Sequence, residues 1–263
     1  MIAGSVMVQA PKSRLDARQT EDAARIVLPA PGVAGEARLV VADGSSGSAE
    51  SGWWATRLAD DLCAAPGRAF HSAKAFHTVA SGAALRWPSR RQALSERFAA
   101  PGQKSWIALR RLDSGPATTI LGIRLLPAAT QDDDPAAVPG GGQWQVVAVG
   151  DACMFQVRTD RVVDAVAVQP RRPPVVRADP RPAAPKPAFR EGHWHDRDVF
   201  YVMTDALGRW WRRNAEEGGL PWTVLDTVCG SNERFTAWVQ AERTRRMLQD
   251  DDITLLRAEC GPC

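Results

Sequence analysis

The residues best suited to chemistry in this chain are acids that stand where apolar runs stop. Leu39-Val40-Val41-Ala42 ends at Asp43-Gly44 and passes into the small polar stretch Ser45-Ser46-Gly47. Asp198-Val199-Phe200-Tyr201-Val202-Met203-Thr204-Asp205 runs apolar to a terminal acid, and Asp250-Asp251-Asp252 stands just before Ile253-Thr254-Leu255-Leu256. A charge at the end of a core strand costs desolvation unless it is paired or metal-bound. Three such ends suggest convergence around cations, although any one alone reads more simply as a solvated strand end. A fourth acidic pair, Glu21-Asp22, precedes the apolar run at 23–28.

Hard divalent cations take oxygen ligands, and two of them a few Å apart can activate a shared water while holding the oxygens of a phosphoryl group. Asp43 suits the bridging role, and the Gly44 carbonyl is an additional ligand. Glu21, Asp22, Asp205 and Asp251 could complete the shell. These residues are far apart in sequence, so their meeting depends on the fold.

The elements that must position them are legible in outline. Apolar runs predict strands near 6–8, 23–28, 38–43, 117–125, 144–149, 154–158, 162–168, 199–204 and 253–257, with 144–149 and 154–158 read as a hairpin about Gly150-Asp151. Apolar positions 54, 55, 58, 59 and 62 share one face of a helix that should end near Pro66-Gly67. Further helices are expected at 70–85 and 89–99, broken around Trp87-Pro88, and at 105–112, 206–214, 222–228 and 232–248, the last capped by Asn232. The stretch 127–143, with three consecutive Asp and three consecutive Gly, reads as a loop whose acids are solvated. The Pro- and Arg-rich segment 169–190 reads as a flap or partly disordered insertion. Strands, helices, strands, helices and a final strand lack the alternation of a doubly wound parallel sheet. An antiparallel α+β sandwich is therefore expected.

Composition narrows the function classes. The chain has 263 residues, 44% hydrophobic, enough for one large domain, and we expect a single domain over 1–263. A formal charge of +3, from 33 basic and 30 acidic residues, is small and scattered, which argues against nucleic acid as a partner. No run approaches the roughly 18 apolar residues of a membrane span, so no membrane partner is expected. Five Cys at wide spacing, with no apolar signal segment after Met1, suggest a cytoplasmic chain. Cys260-Gly261-Pro262-Cys263 has redox spacing, but little at the last residue could orient it. Ten Trp against one Tyr suggest aromatic packing in the core and cleft walls.

Taken in order, Glu21-Asp22-Ala23, Val41-Ala42-Asp43-Gly44, Ala117-Thr118-Thr119, Val149-Gly150-Asp151-Ala152, Thr204-Asp205-Ala206 and Asp251-Asp252-Ile253-Thr254 resemble the PP2C-type metal-dependent serine/threonine phosphatase family over nearly the whole chain. The resemblance implies a four-layer α-β-β-α sandwich with two Mn2+ or Mg2+ ions in a cleft at one edge of the sheets. By position, Asp43 would bridge both ions, and Gly44 and Glu21 would share one of them. Asp205 and Asp251 would ligate the other, and Asp22 would hold a metal-associated water. Asp252 would orient the site, and Asp151 would support the cleft rather than bind the two principal ions. The implied reaction is attack of metal-activated water on phosphoserine or phosphothreonine of a protein or peptide, without a phosphoenzyme.

The chain also departs from the family pattern. The family's phosphate-binding Arg would fall at position 17, which is Ala; Arg18 is the preferred phosphate contact and Arg14 lies further upstream. The family's early His is replaced by the stretch 45–51, and His71 and His77 read as structural or exposed. The usual glycine run is replaced at 45–54, and Asp205 is followed by Ala206 rather than Gly. These departures admit a small phosphomonoester as substrate. They also admit a catalytically weak phosphopeptide-binding protein with a regulatory partner. Oligomeric state is not encoded in any of these features.

Overall fold

Alternation along one strand sets the layering. In the computed structural model, which describes residues 2–12, 20–30, 33, 35–98, 110–128, 141–167, 172–179 and 184–261, strand β3 is Ala37–Gly44. Side chains of a strand alternate between faces. Leu39 and Val41 accordingly join the core between two sheets, while Val40 and Ala42 join the core beneath helices on the outer face.

Strands β1 (Ile2–Ala10), β2 (Ala23–Val27), β4 (Ala117–Pro127), β5 (Gly141–Val149), β6 (Cys153–Arg158), β7 (Arg161–Val166), β8 (Val176–Arg177), β9 (Ala188–His195), β10 (Val199–Met203) and β11 (Ile253–Cys260) complete the two sheets. One sheet has the order β1-β11-β10-β6-β7, and the other has β2-β3-β4-β5-β9 with β8 against β4. All these pairings are antiparallel.

Helices α1 (Ser51–Ala64), α2 (Ala73–Ala84) and α3 (Trp87–Phe98) cover the second sheet. Helices α4 (Asp205–Glu216), α5 (Pro221–Val228) and α6 (Asn232–Thr244) cover the first. The outcome is the α-β-β-α sandwich expected from the resemblance. Among the described residues, no helix is long and apolar enough to cross a membrane.

Tryptophans fill the helix-to-sheet layers. Trp211 stacks on Phe155 with ring centroids 4.5 Å apart and also meets Tyr201 and Trp222. On the other side, Trp54 is fully buried in α1 and donates its Nε1–H to the Val176 carbonyl at 2.8 Å.

Several local expectations need correction. Strands 144–149 and 154–158 do not form a hairpin: β5 pairs with β4 and β9, whereas β6 pairs with β10 and β7. Gly150-Asp151-Ala152 instead carries the chain from one sheet to the other. Within 169–190, where a flap or insertion is expected, the described residues ahead of β9 are mostly without regular structure but touch the sheet at one point. Val176 pairs with Thr118, Ala178 N–H donates to the Pro116 carbonyl, and β9 begins at Ala188.

The helix break falls at 85–86, and Trp87 is buried at the start of α3. The cap of α6 is Ser231, whose side chain accepts from Arg234 N–H, while Asn232 accepts from Gln9 N–H. Gly141 to Gln143 belong to β5. The acids at 132–134 and the expected helix over 105–109 lie outside the described residues, while 110–113 is a helical turn.

Candidate functional site

Antiparallel pairing explains why acids distant in sequence meet. The register sets Ala23 opposite Ala42, so Asp22 at the entrance of β2 lies beside Asp43 at the exit of β3. In the other sheet, Met203 at the exit of β10 pairs with Leu255 near the entrance of β11 and with Cys153 at the entrance of β6. Asp205, Asp252 and Asp151 flank those three positions. Every chain end that carries one of these acids therefore faces the same end of the sandwich.

Hydrogen bonds tie the two sheets together there. Thr254 Oγ1 donates to Asp22 Oδ2 at 2.8 Å across the sheets, while Thr254 N–H donates within its own sheet to Thr204 Oγ1 at 3.1 Å. Asp252 is 2% exposed and accepts from the backbone N–H groups of Lys12 at 2.9 Å and Glu21 at 2.8 Å. Gly44 N–H donates to the Glu21 carbonyl at 3.2 Å. A Cβ at position 44 would lie 2.5 Å from that carbonyl oxygen and 2.9 Å from Ser51 Cβ, so the close approach of these segments requires glycine.

Asp205 opens helix α4, where the positive end of the helix dipole favours an acid. Arg209, one turn on, pairs with Asp205 Oδ2. The departure from an Asp-Gly turn thus has a local cause: Thr204 is the N-cap residue and α4 begins at once. Gly208 sits where a Cβ would lie 2.6 Å from Cys153 Sγ, holding α4 close to β6.

The electrostatics are those of crowded carboxylates. Burial pushes Asp22 up to about 8; the Thr254 hydroxyl pulls it back, and Asp252 and Asp251 add repulsion. Asp43 is also held well above the ordinary carboxylate range, by burial first and then by Asp22, Asp205, Asp251 and Asp151. Burial and Asp205 raise Asp151 to about 6, against the opposing Arg209 charge. Asp22 Oδ1 and Asp205 Oδ1 are buried and have no hydrogen-bond partner among the described residues.

On the other flank stands a residue that the sequence reading did not single out. Lys12 Nζ donates to Glu21 Oε2 at 2.8 Å and to Ser46 Oγ at 2.6 Å, and pairs with Asp251 Oδ1 at 3.1 Å. Burial alone would lower the Lys12 pKa, but Glu21 and Asp251 outweigh it and raise it. No motif marks such a lysine in sequence; its only signal is its position two residues beyond β1.

Glu21, Asp22, Asp43, Gly44, Asp205 and Asp251 are thus brought to one cluster, and Asp151 joins them. Arg18, Arg14 and Ala17 lie outside the described residues. His77 Nε2 is 3.0 Å from the Pro185 carbonyl, away from the cluster in a contact that supports the structural reading of this residue. The described cysteines, Cys63, Cys153, Cys229 and Cys260, are all buried.

The donor set is all oxygen and suits Mn2+ or Mg2+. The orphaned oxygens of Asp22 and Asp205, and the repulsion at Asp43, leave charge on their side that a cation would offset. The Glu21–Asp251 side is already held by Lys12. Among the described residues, no three His, Cys, Asp or Glu side chains are drawn into a set able to hold a metal ion.

Compared by sequence, the chain matches no protein-family profile and no curated protein. Compared by structure, it is similar to a bacterial serine phosphatase, with TM-score 0.61 and 11% identity over 100% of this chain and 99% of the other. The serine/threonine phosphatase Stp1 from Staphylococcus aureus gives TM-score 0.60 and 12% identity over 98% and 95% of the two chains. The Mycobacterium tuberculosis serine/threonine phosphatase PstP/Ppp gives 0.58 and 12% over 99% and 100%. The fold is therefore that of the PP2C-type phosphatases.

Proposed function

We propose that this chain is a metal-dependent phosphatase that hydrolyses phosphoserine or phosphothreonine in proteins or peptides. The observation that carries the reading is the set Asp22, Asp43 and Asp205: carboxylates of three chain segments share one end of the sandwich with too few donors to neutralise them. The similarity in fold to serine/threonine phosphatases supports the same reading and suggests the substrate class.

Asp43, Asp205 and Asp251, together with Glu21 and the Gly44 carbonyl, would hold Mn2+ or Mg2+. A divalent ion bound there supplies Lewis acidity, lowering the pKa of water and offsetting charge on phosphoryl oxygens. Asp22 is fixed by Thr254 through Oδ2 and keeps Oδ1 to accept a hydrogen bond from the attacking water. Asp252 joins the Lys12 and Glu21 segments by accepting both backbone N–H groups, which holds Glu21 in register with Gly44. Arg18 is the proposed phosphate contact, and Asp151 supports the cleft beside Asp205.

The test is Mn2+-dependent phosphate release from a phosphothreonine peptide by wild type, Asp43→Asn and Asp205→Asn. Each variant should lose about 100-fold or more. Equal activity in all three would overturn the mechanism. Faster turnover of small phosphomonoesters than of the peptide would overturn the protein-substrate assignment.

A further inference from the structure

Lys12 stands where an acidic cluster of this kind would otherwise need a cation. An ammonium has three N–H donors. Lys12 Nζ has three close oxygen partners: Ser46 Oγ at 2.6 Å, Glu21 Oε2 at 2.8 Å and Asp251 Oδ1 at 3.1 Å. Asp252 Oδ2 lies further off at 3.9 Å.

The seat is built by the fold. Strand β1 pairs with β11 up to Ala10 opposite Ile253, which delivers Lys12 beside Asp251 and Asp252. Its backbone is pinned there by Lys12 N–H to Asp252 Oδ1 at 2.9 Å, and by Arg243 Nη1 donating to the Pro11 carbonyl at 2.8 Å. The Lys12 side chain is 18% exposed.

We propose that Lys12 is a resident cation of the carboxylate cluster, holding Glu21 and Asp251, one carboxylate from each of the two expected ion sites, so that a single exchangeable ion remains, at Asp43 and Asp205 beside Asp22. This rests on the metal-dependent reading above for that one ion. An ion entering between Glu21 and Asp251 must displace an ammonium that is tethered to the site and so present at high effective concentration. It would also face that positive charge across a few Å. On the opposite flank the demand for a cation persists: Asp22 is 4% exposed and its Oδ1 is unpartnered among the described residues. The cluster therefore combines one built-in monovalent charge with one divalent ion.

The test is titration of the full chain with Mn2+, by calorimetry for stoichiometry and by electron paramagnetic resonance for nuclearity, on wild type, Lys12→Met and Lys12→Arg. Wild type and Lys12→Arg should bind one ion per chain with the six-line signal of isolated Mn2+. Lys12→Met, which keeps length and removes charge, should bind two with a spin-coupled signal. Two coupled ions in wild type would overturn the role of Lys12 while leaving the phosphatase reading intact, and this measurement needs no variant to fold. One ion in both wild type and Lys12→Met would also overturn it. No ion in any of the three would overturn the metal-dependent reading and this inference with it.

Discussion

Replacing Asp252 strikes two supports of the cluster at once. Its carboxylate is 2% exposed and accepts two backbone N–H groups, from Lys12 at 2.9 Å and Glu21 at 2.8 Å. Hydrogen bonds to a charged group contribute about 1.5–3 kcal/mol each. Both donors are only part-buried, so Asp252→Ala should cost near the lower sum, about 3 kcal/mol. Asp252→Asn retains one acceptor oxygen and turns an amide NH2 toward the other donor, so it should cost about 2 kcal/mol. At about 2–4 °C per kcal/mol for a chain of this size, the Ala variant should melt about 6–12 °C lower. Urea unfolding of the metal-free protein gives the stability, and calorimetry with Mn2+ gives the affinity. The affinity should fall about 10–100-fold in Asp252→Asn, because the Glu21 segment that leads into Asp22 loses its anchor. A change below about 0.5 kcal/mol in both variants would refute the reasoning, since that is the range of an uninvolved surface position.

Other outcomes follow from the same geometry. Asp22 is raised from 3.8 to about 8 in the fold, so the folded state binds its proton more tightly than the unfolded chain does. The stability of the metal-free protein should be full below pH 4 as far as this group is concerned and decline as pH rises through 8. Mn2+ binding at pH 7 should in turn release protons, with affinity rising up to about pH 8; calorimetry in buffers of different ionisation enthalpy measures both. Gly44→Ala places a Cβ 2.5 Å from the Glu21 carbonyl oxygen, and should weaken Mn2+ binding by about 10-fold or more by displacing the adjoining Asp43. Trp211→Ala removes a fully enclosed ring stacked on Phe155 and should cost about 3–5 kcal/mol in urea unfolding. Mn2+ affinity in the still-folded fraction of that variant should be unchanged.

The sequence carried much of this architecture because the central strands are written as apolar runs. Leu39 to Ala42 and Phe200 to Met203 are buried on both faces, and burial of that kind leaves a continuous hydrophobic signature. Strand β9 was missed for the opposite reason. Ala188–His195 is an edge strand whose side chains are mostly exposed, and its composition resembles a loop. Gly-Asp between two apolar runs suits either a tight turn or a passage between sheets, so the sequence around Gly150 to Ala152 suggests a hairpin where the fold has a crossing. Only pairing partners distinguish the two.

At the site, acids at strand ends were visible one by one, and their order suggested a common destination. Lys12 was not visible as a member. Its role depends on the register of β1 against β11, a long-range pairing that no local pattern records. Thr254 and Thr204 stand inside the quoted motifs, yet the bond from Thr254 to Asp22 across the two sheets, and the one from Thr254 to Thr204 between β11 and the end of β10, are likewise products of assembly.

The most direct test of the central claim, that the orphaned carboxylates at the end of the sandwich hold a divalent cation, is anomalous diffraction at the manganese edge from crystals of the full chain grown with Mn2+. We expect a peak in contact with the Asp43 carboxylate that is lost in Asp43→Asn. A map with no peak at Asp43, or one unchanged by that substitution, would contradict the account.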